Sequence, residues 1–173
     1  MSTTLSSERL ILRPWREDDL DALAQLCADP EVMAHFPATL DRAGSAALLG
    51  KLMAHQAEHG FTFWALQRRE DAAFVGFTGL ARVGFAAPFV PAVEIGWRLA
   101  RPYWGRGYAL EAARRALQFA FEDLQLDEVV SFTVPANQRS WGLMQRLGMR
   151  REAHLRENDR FNGKWGDEYV YAL

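Results

Sequence analysis

The sequence predicts an α+β fold, a mixed and mostly antiparallel sheet of seven strands flanked by about four helices. Three observations predict it. The elements read in the order β-α-α-β-β-β-α-β-α-β-β, and three consecutive strands suggest antiparallel hairpins. The strand–helix–strand run across residues 93–134 calls for one right-handed crossover, which makes strands four and five parallel. The length, 173 residues with 49% hydrophobic and 24% charged, suits a single domain spanning 1–173 with one sizeable core.

Each element has its own signal. Glu8–Trp15 alternates around Leu10 and Leu12 and forms strand one, ended or edged by Pro14. Asp18 or Asp19 caps a helix that runs to about Ala28, ahead of Pro30. A second helix covers Asp41–His59 and stops at Gly60. Phe61–Gln67 is strand two and Ala73–Arg82 strand three, where Gly76 and Gly79 mark bulges or close approaches. Strand four is Val93–Ala100. The helix after it, to about Leu124, carries Leu110, Ala113, Leu117 and Phe121 at helical spacing, with Glu111, Arg114, Arg115 and Glu122 on the other face. Glu128–Val134 is strand five, and Asn137–Leu147 a helix stopped by Gly148. Met149–Glu157 and Trp165–Ala172 are strands six and seven, joined by the polar turn Asn158–Lys164.

Charge and cysteine content exclude several roles. A net charge of −2 with scattered Lys and Arg gives no basic field for nucleic acid. The single cysteine, Cys27, forms no internal disulfide, which fits a reducing compartment. It lies in the helical pattern Leu20, Leu23, Ala24, Leu26 and reads as a small core residue ahead of a nucleophile. The first residues lack a signal-peptide core and no apolar run spans a membrane, so a cytoplasmic location and no membrane partner are expected. His55 and His59 are four apart on a helix but have no third ligand and no zinc-protease pattern, so no metal site is expected.

The stretch Glu94–Ala109 carries the chemistry. A short apolar strand enters a loop with Gly105 and Gly107, and the loop opens directly onto a helix. Bare backbone N–H groups and a helix start suit an anion such as a pyrophosphate, and Arg106 adds a full charge. A tight strand-to-helix turn is the other reading of the same glycines. The nucleotide P-loop is excluded because no Gly-Lys-Ser/Thr follows. The dinucleotide fingerprint fails because Leu110 stands where a small residue belongs and Asp127 precedes its strand.

Four segments together resemble the GNAT superfamily of acyl-CoA N-acetyltransferases. They are Glu94-Ile-Gly-Trp, Tyr103-Trp-Gly-Arg-Gly-Tyr-Ala-Leu-Glu-Ala112, Asn137-Gln-Arg-Ser140 and Arg146-Leu-Gly-Met149, and within the superfamily they are similar to the RimJ/RimL-like branch. The resemblance implies a GNAT-like sheet whose strands four and five splay apart, with acetyl-CoA as cosubstrate. Its pyrophosphate would lie on Trp104, Gly105, Arg106, Gly107, Tyr108 and Ala109. Its pantetheine arm would pair with backbone at Trp97, Arg98 and Leu99, held also by the Asn137 amide, although Asn137 equally suits an N-cap.

The implied reaction moves an acetyl group to a primary amine. That amine belongs to a protein or peptide N-terminus, or alternatively to a small molecule, antibiotics included. A third alternative is a CoA-binding sensor without catalysis. Glu94 is the candidate base, against a structural carboxylate; Glu152 and His154 are lesser candidates. Ser140 is the candidate hydroxyl for the leaving thiolate, against a serine bonded to its own helix. Many relatives use a tyrosine where Met144 stands. His35, Phe36, Phe85 and Phe89 are expected to flank the acceptor, by the placement of their segments in this fold. The uncharged loop Val83–Val93 also suits a homodimer contact or burial in the chain's own core.

Overall fold

The computed structural model describes residues 3–85, 89–155 and 168–173. The turn Asn158–Lys164 and the start of strand seven at Trp165 lie outside them. Eight strands form one sheet, ordered β1-β2-β3-β4-β5-β6-β8-β7. They are β1 Leu5–Ser6, β2 Leu10–Arg13, β3 Phe63–Arg68, β4 Phe74–Arg82, β5 Val93–Leu99, β6 Val130–Thr133, β7 Arg150–Leu155 and β8 Glu168–Ala172. The helices are α1 Leu20–Ala28, α2 Arg42–His59, α3 Tyr108–Gln118 and α4 Gln138–Arg146.

The expectation of seven strands with the fourth and fifth parallel is corrected to eight with the fifth and sixth parallel. The added strand, β1, pairs with β2 through Leu5↔Leu12 and Ser6↔Ile11. Two residues leave no alternation to read, so this strand has no signal in the sequence. All other neighbours are antiparallel. The parallel pair is brief. Glu94 registers with Val130, and Ser131 Oγ donates to the Ile95 carbonyl at 2.8 Å. β6 pairs with β8 on its other edge throughout, from Val130 to Thr133, while β5 beyond Glu94 keeps only β4.

Each face of the sheet buries its own core. On one side α3 and α4 bring Ala112, Ala113, Ala116 and Met144 against Leu10, Leu12, Leu66, Val93, Ile95 and Leu99. On the other, Leu23, Leu26 and Cys27 of α1 and Leu49 and Leu52 of α2 meet Trp15, Ala65 and Phe77. Close packing of β4 on β5 needs a glycine at Gly76, where φ is +143° and a Cβ would run into the Arg98 carbonyl. Asp41 caps α2 by accepting from the Gly44 N–H at 2.7 Å, and Gly60 ends it in the left-handed region at φ 78°. The third helix does not stay α-helical to Leu124. Residues Phe119–Asp123 widen into a π turn, closed by Leu124 N–H to the Phe119 carbonyl at 3.0 Å.

Asp19 does something other than cap α1. Its carboxylate accepts both Arg13 Nη atoms, at 2.8 and 2.7 Å, and the Arg16 N–H at 2.8 Å. The group is 6% exposed. Burial pushes Asp19 up, but Arg13 and the Arg16 N–H outweigh it and hold the carboxyl below its ordinary value. The stability this contributes is therefore present above the unfolded carboxyl pKa of about 3.9 and is lost as pH falls through the lower native value. Asp19→Ala strands a buried guanidinium and should cost about 3–5 kcal/mol in urea unfolding at pH 7. It should also flatten the acid limb of the stability–pH curve; an unchanged midpoint and limb would refute this role.

Candidate active site

Leu99 ends β5, and the chain turns through a single 3-10 turn, Arg101–Tyr103, into Trp104 and the two glycines. Gly105 and Gly107 hold φ values of +70° and +80°, in the left-handed region, and Gly107 is the N-cap of α3. This turn exposes a row of donors. The N–H groups of Gly105, Arg106 and Gly107 make no hydrogen bond among the described residues. Those of Tyr108, Ala109 and Leu110 precede the first helical bond, Glu111 N–H to the Gly107 carbonyl at 3.0 Å. Gly105, Arg106 and Gly107 are exposed, so the row faces solvent at a positive helix end.

A brace from the N-terminal strands holds the loop. The Glu111 carboxylate accepts Ser7 Oγ at 2.7 Å, the Arg9 N–H at 2.7 Å and Arg9 Nε at 2.6 Å. Arg9 Nη1 then donates to the Arg106 carbonyl at 3.0 Å, and its guanidinium lies 4.5 Å from the Tyr108 ring centroid. Burial pushes Glu111 up, yet Ser7 and Arg9 together hold it below its ordinary value. Helical spacing puts Glu111 on the polar outer face. It is instead the anchor of the loop, and only the pairing of β1 with β2 reveals its partners. Tyr108 is buried, so of the loop residues it serves the core with its ring and offers only its backbone.

Trp104 joins this loop to α4. Its Nε1 donates to the Leu99 carbonyl at 2.8 Å, and its ring lies between the guanidinium groups of Arg101 and Arg139, at 4.9 and 4.6 Å. Arg139 precedes Ser140. Asn137 is the N-cap of α4: Oδ1 accepts the Ser140 N–H at 3.3 Å, and Nδ2 donates to Thr133 Oγ1 at 3.1 Å. A second Nδ2 hydrogen remains for another acceptor. Ser140 Oγ makes no hydrogen bond among the described residues, so the reading of a serine bonded to its own helix is not what the fold adopts. Met144 is fully buried in the core.

Glu94 is half-buried at the last register position before β5 and β6 part. Val93, Ile95 and Leu99 face α3, and Trp97 packs with them, so the pleat sends Glu94 and Arg98 to the α1/α2 face. Arg98 confirms this by donating from Nη1 to Cys27 Sγ at 3.3 Å, with Phe36 at 4.1 Å and Phe77 at 5.0 Å from the guanidinium carbon. His35 and Phe36 lie in the turns after α1, both half-buried. Phe85 and Phe89 fold back onto β6, where they meet each other at 6.4 Å and Phe132 at 5.5 and 5.8 Å. Phe132 completes an aromatic cluster that the sequence reading did not include. Glu152 and His154 are exposed on β7, two strands from β6.

Residues 9–150 match the family model described as "Acetyltransferase (GNAT) domain". The chain belongs to the GNAT acetyltransferase family. It is a GNAT-type N-acetyltransferase, and its relatives extend over the whole length. An uncharacterized N-acetyltransferase of Bacillus subtilis, YnaD, is 28% identical over 98% of this chain and 95% of its own. The Escherichia coli [ribosomal protein uS5]-alanine N-acetyltransferase is 22% identical over 98% of this chain and 89% of its own. The crystal structure of a GNAT-family acetyltransferase from Bacillus anthracis superposes with a TM-score of 0.83, at 25% identity, covering 99% of this chain and 98% of that one. No helix among the described residues is long and apolar enough to cross a membrane, and no group of three metal-ligating side chains occurs among them.

The brace in this GNAT enzyme makes a stability prediction. Glu111→Ala removes the acceptor of three hydrogen bonds and should cost about 1–3 kcal/mol in chemical denaturation, leaving the far-ultraviolet dichroism unchanged. A variant as stable as the parent would show that the loop needs no brace.

Proposed function

We propose that this GNAT enzyme transfers the acetyl group of acetyl-CoA to a primary amine, foremost the N-terminal α-amine of a protein or peptide. The observation that carries the cosubstrate is the row of backbone N–H groups from Gly105 to Leu110, without acceptors among the described residues and at a helix start. Those donors, with Arg106, suit a pyrophosphate. Pantetheine fits the opening between β5 and β6, against backbone at Trp97, Arg98 and Leu99 and the remaining Asn137 Nδ2 hydrogen. Trp104 walls that opening through its bond to Leu99 and its contact with Arg139. The cosubstrate supplies the acetyl thioester.

The chain's own groups move the protons. An α-amine with a pKa of about 7.7–8.0 is partly neutral near pH 7, whereas a lysine near 10.4 is not. Glu94, at the closed end of the opening where β5 and β6 still pair, takes the amine proton directly or through water. A backbone N–H of residues 97–99 meets the thioester oxygen as charge builds on it. Ser140 Oγ donates a hydrogen bond to the departing sulfur. The α-amine reading is supported by the E. coli relative named for an alanine of ribosomal protein uS5 and by the RimJ/RimL-like motifs. A cytoplasmic location accords with the lone buried Cys27. His35, Phe36, Phe85 and Phe89 flank the acceptor, the first pair from α1's end and the second from the loop before β5.

The deciding assay follows free-thiol release from acetyl-CoA with a panel of peptides and small amines. Turnover with N-terminal peptides supports the reading, and turnover with small amines alone replaces the acceptor. Thiol release that no amine accelerates would leave a CoA-binding protein and overturn it. Acetyl-CoA at 100 times its dissociation constant should stabilise the fold by about 2.7 kcal/mol. Gly107→Val should abolish that gain. The nearest atom to a new Cβ is Arg9 Nη2 at 3.4 Å, so the damage comes through φ +80° and not through crowding. Undiminished stabilisation of the variant would place the anion elsewhere. Ser140→Ala should lower kcat by about 10²-fold with acetyl-CoA affinity nearly unchanged. An unaltered kcat would remove Ser140 from the chemistry.

A further inference from the structure

Arg98 is a cation on the acceptor face with no counter-ion among the described residues. No Asp or Glu among the described residues forms an ion pair with it. Its only hydrogen bond among the described residues is from Nη1 to the Cys27 thiol, a weak acceptor. Nε is buried without a partner. Nη2 makes no hydrogen bond among the described residues either. The faces of Phe36 and Phe77 hold the guanidinium in place from 4.1 and 5.0 Å. Ring faces return only part of the solvation a buried cation gives up. Burial draws the guanidinium below its ordinary pKa, the sign of a charge left short of partners.

The surroundings define what completes it. Glu94, Gly96 and Arg98 share one face of β5. Gly96 has no side chain, and the row Phe63↔Gly79↔Gly96 lets the Phe63 ring lean across two glycines, to 3.1 Å from a Cβ built on Gly96. An apolar floor therefore lies between a carboxylate and a rigid, planar cation. An oxyanion engages such a fork through two parallel hydrogen bonds, which an ammonium in the same place does not offer.

We infer that Arg98 is a specificity residue that binds a carboxylate carried by the acceptor, with the acceptor's apolar part resting on Phe63. This rests on the transferase reading for its placement beside the reacting amine. The carboxylate comes either from a free amino-acid terminus or from an acidic side chain in a peptide, and the shared chemistry is the oxyanion.

Two acceptor pairs test it with the full-length enzyme and acetyl-CoA. Phenylalanine against phenylalaninamide probes a free α-carboxylate, and Ala-Asp-Phe-amide against Ala-Asn-Phe-amide probes a side-chain carboxylate. The parent enzyme should favour the acid in at least one pair by roughly 10- to 100-fold, expressed in KM. Arg98→Met should bring that ratio close to one. Arg98→Lys should keep only part of the preference. If the methionine variant does not fold, the lysine variant decides, because loss of the fork alone must lower the ratio. No preference in either pair, or a preference that survives both substitutions, overturns the inference. A merely structural Arg98 would change stability and leave the ratio as it was. Calorimetry of the four probes with the CoA-loaded protein separates the two claims. Binding of an acid probe that needs Arg98, without turnover of any amine, would defeat the transferase reading alone.

Discussion

The register pair Glu94↔Val130 is the constraint on which the remaining structure depends. A parallel pair cannot be closed by a hairpin, so α3 must cross over the sheet between β5 and β6, and the glycine loop must stand where β5 meets α3. Had the two strands stayed paired to their ends, their backbone groups would have satisfied each other. Because the pairing stops after Glu94↔Val130, β5 keeps an open backbone edge directly beneath the loop. The opening, the row of N–H groups above it and the carboxylate at its closed end all follow from this early parting.

A loop of left-handed glycines is loose unless something outside it sets its position. Here the setting is electrostatic and long-range in sequence. Ser7 and Arg9 reach Glu111, and Arg9 continues to the Arg106 carbonyl. The brace takes up carbonyl and carboxylate oxygens and leaves the N–H groups untouched, which is the division an anion site requires. Trp104 adds a second tie, bonded to the end of β5 and stacked between arginines from the loop and from α4. Both sides of the opening are thereby fixed to the same indole.

Much of this was legible in the sequence, for reasons specific to each element. Asp41 and Gly60 bounded α2 because caps are local chemistry. The loop and Asn137 were legible because positive-φ glycines and N-cap amides leave their residue type in the chain. What could not be read depends on partners far away. The strand Leu5–Ser6 is too short for a pattern and exists only through Leu12 and Ile11. Glu111 reads as an outer-face acid, and its role comes from residues more than 100 positions distant. Asp19 reads as a helix cap and is claimed by Arg13. Arg98 sits within a backbone segment assigned to pantetheine, and only the pleat of β5 shows that its side chain leaves on the other face. The widening at Phe119 is a hydrogen-bond choice that apolar spacing does not encode.

The strand order β6-β8-β7 has a consequence for how the protein is made. β8 is synthesised after β7 yet lies between β7 and β6, and Leu173 exchanges both backbone hydrogen bonds with Val129 at 3.0 Å. Without residues 168–173, β6 has an unpaired edge and β7 has no place in the sheet. Strands β1 to β5 follow one another as neighbours in the sheet, whereas β6 and β7 are joined only through β8. The far half of the sheet therefore closes around β8, which gives β6 and β7 their shared neighbour together.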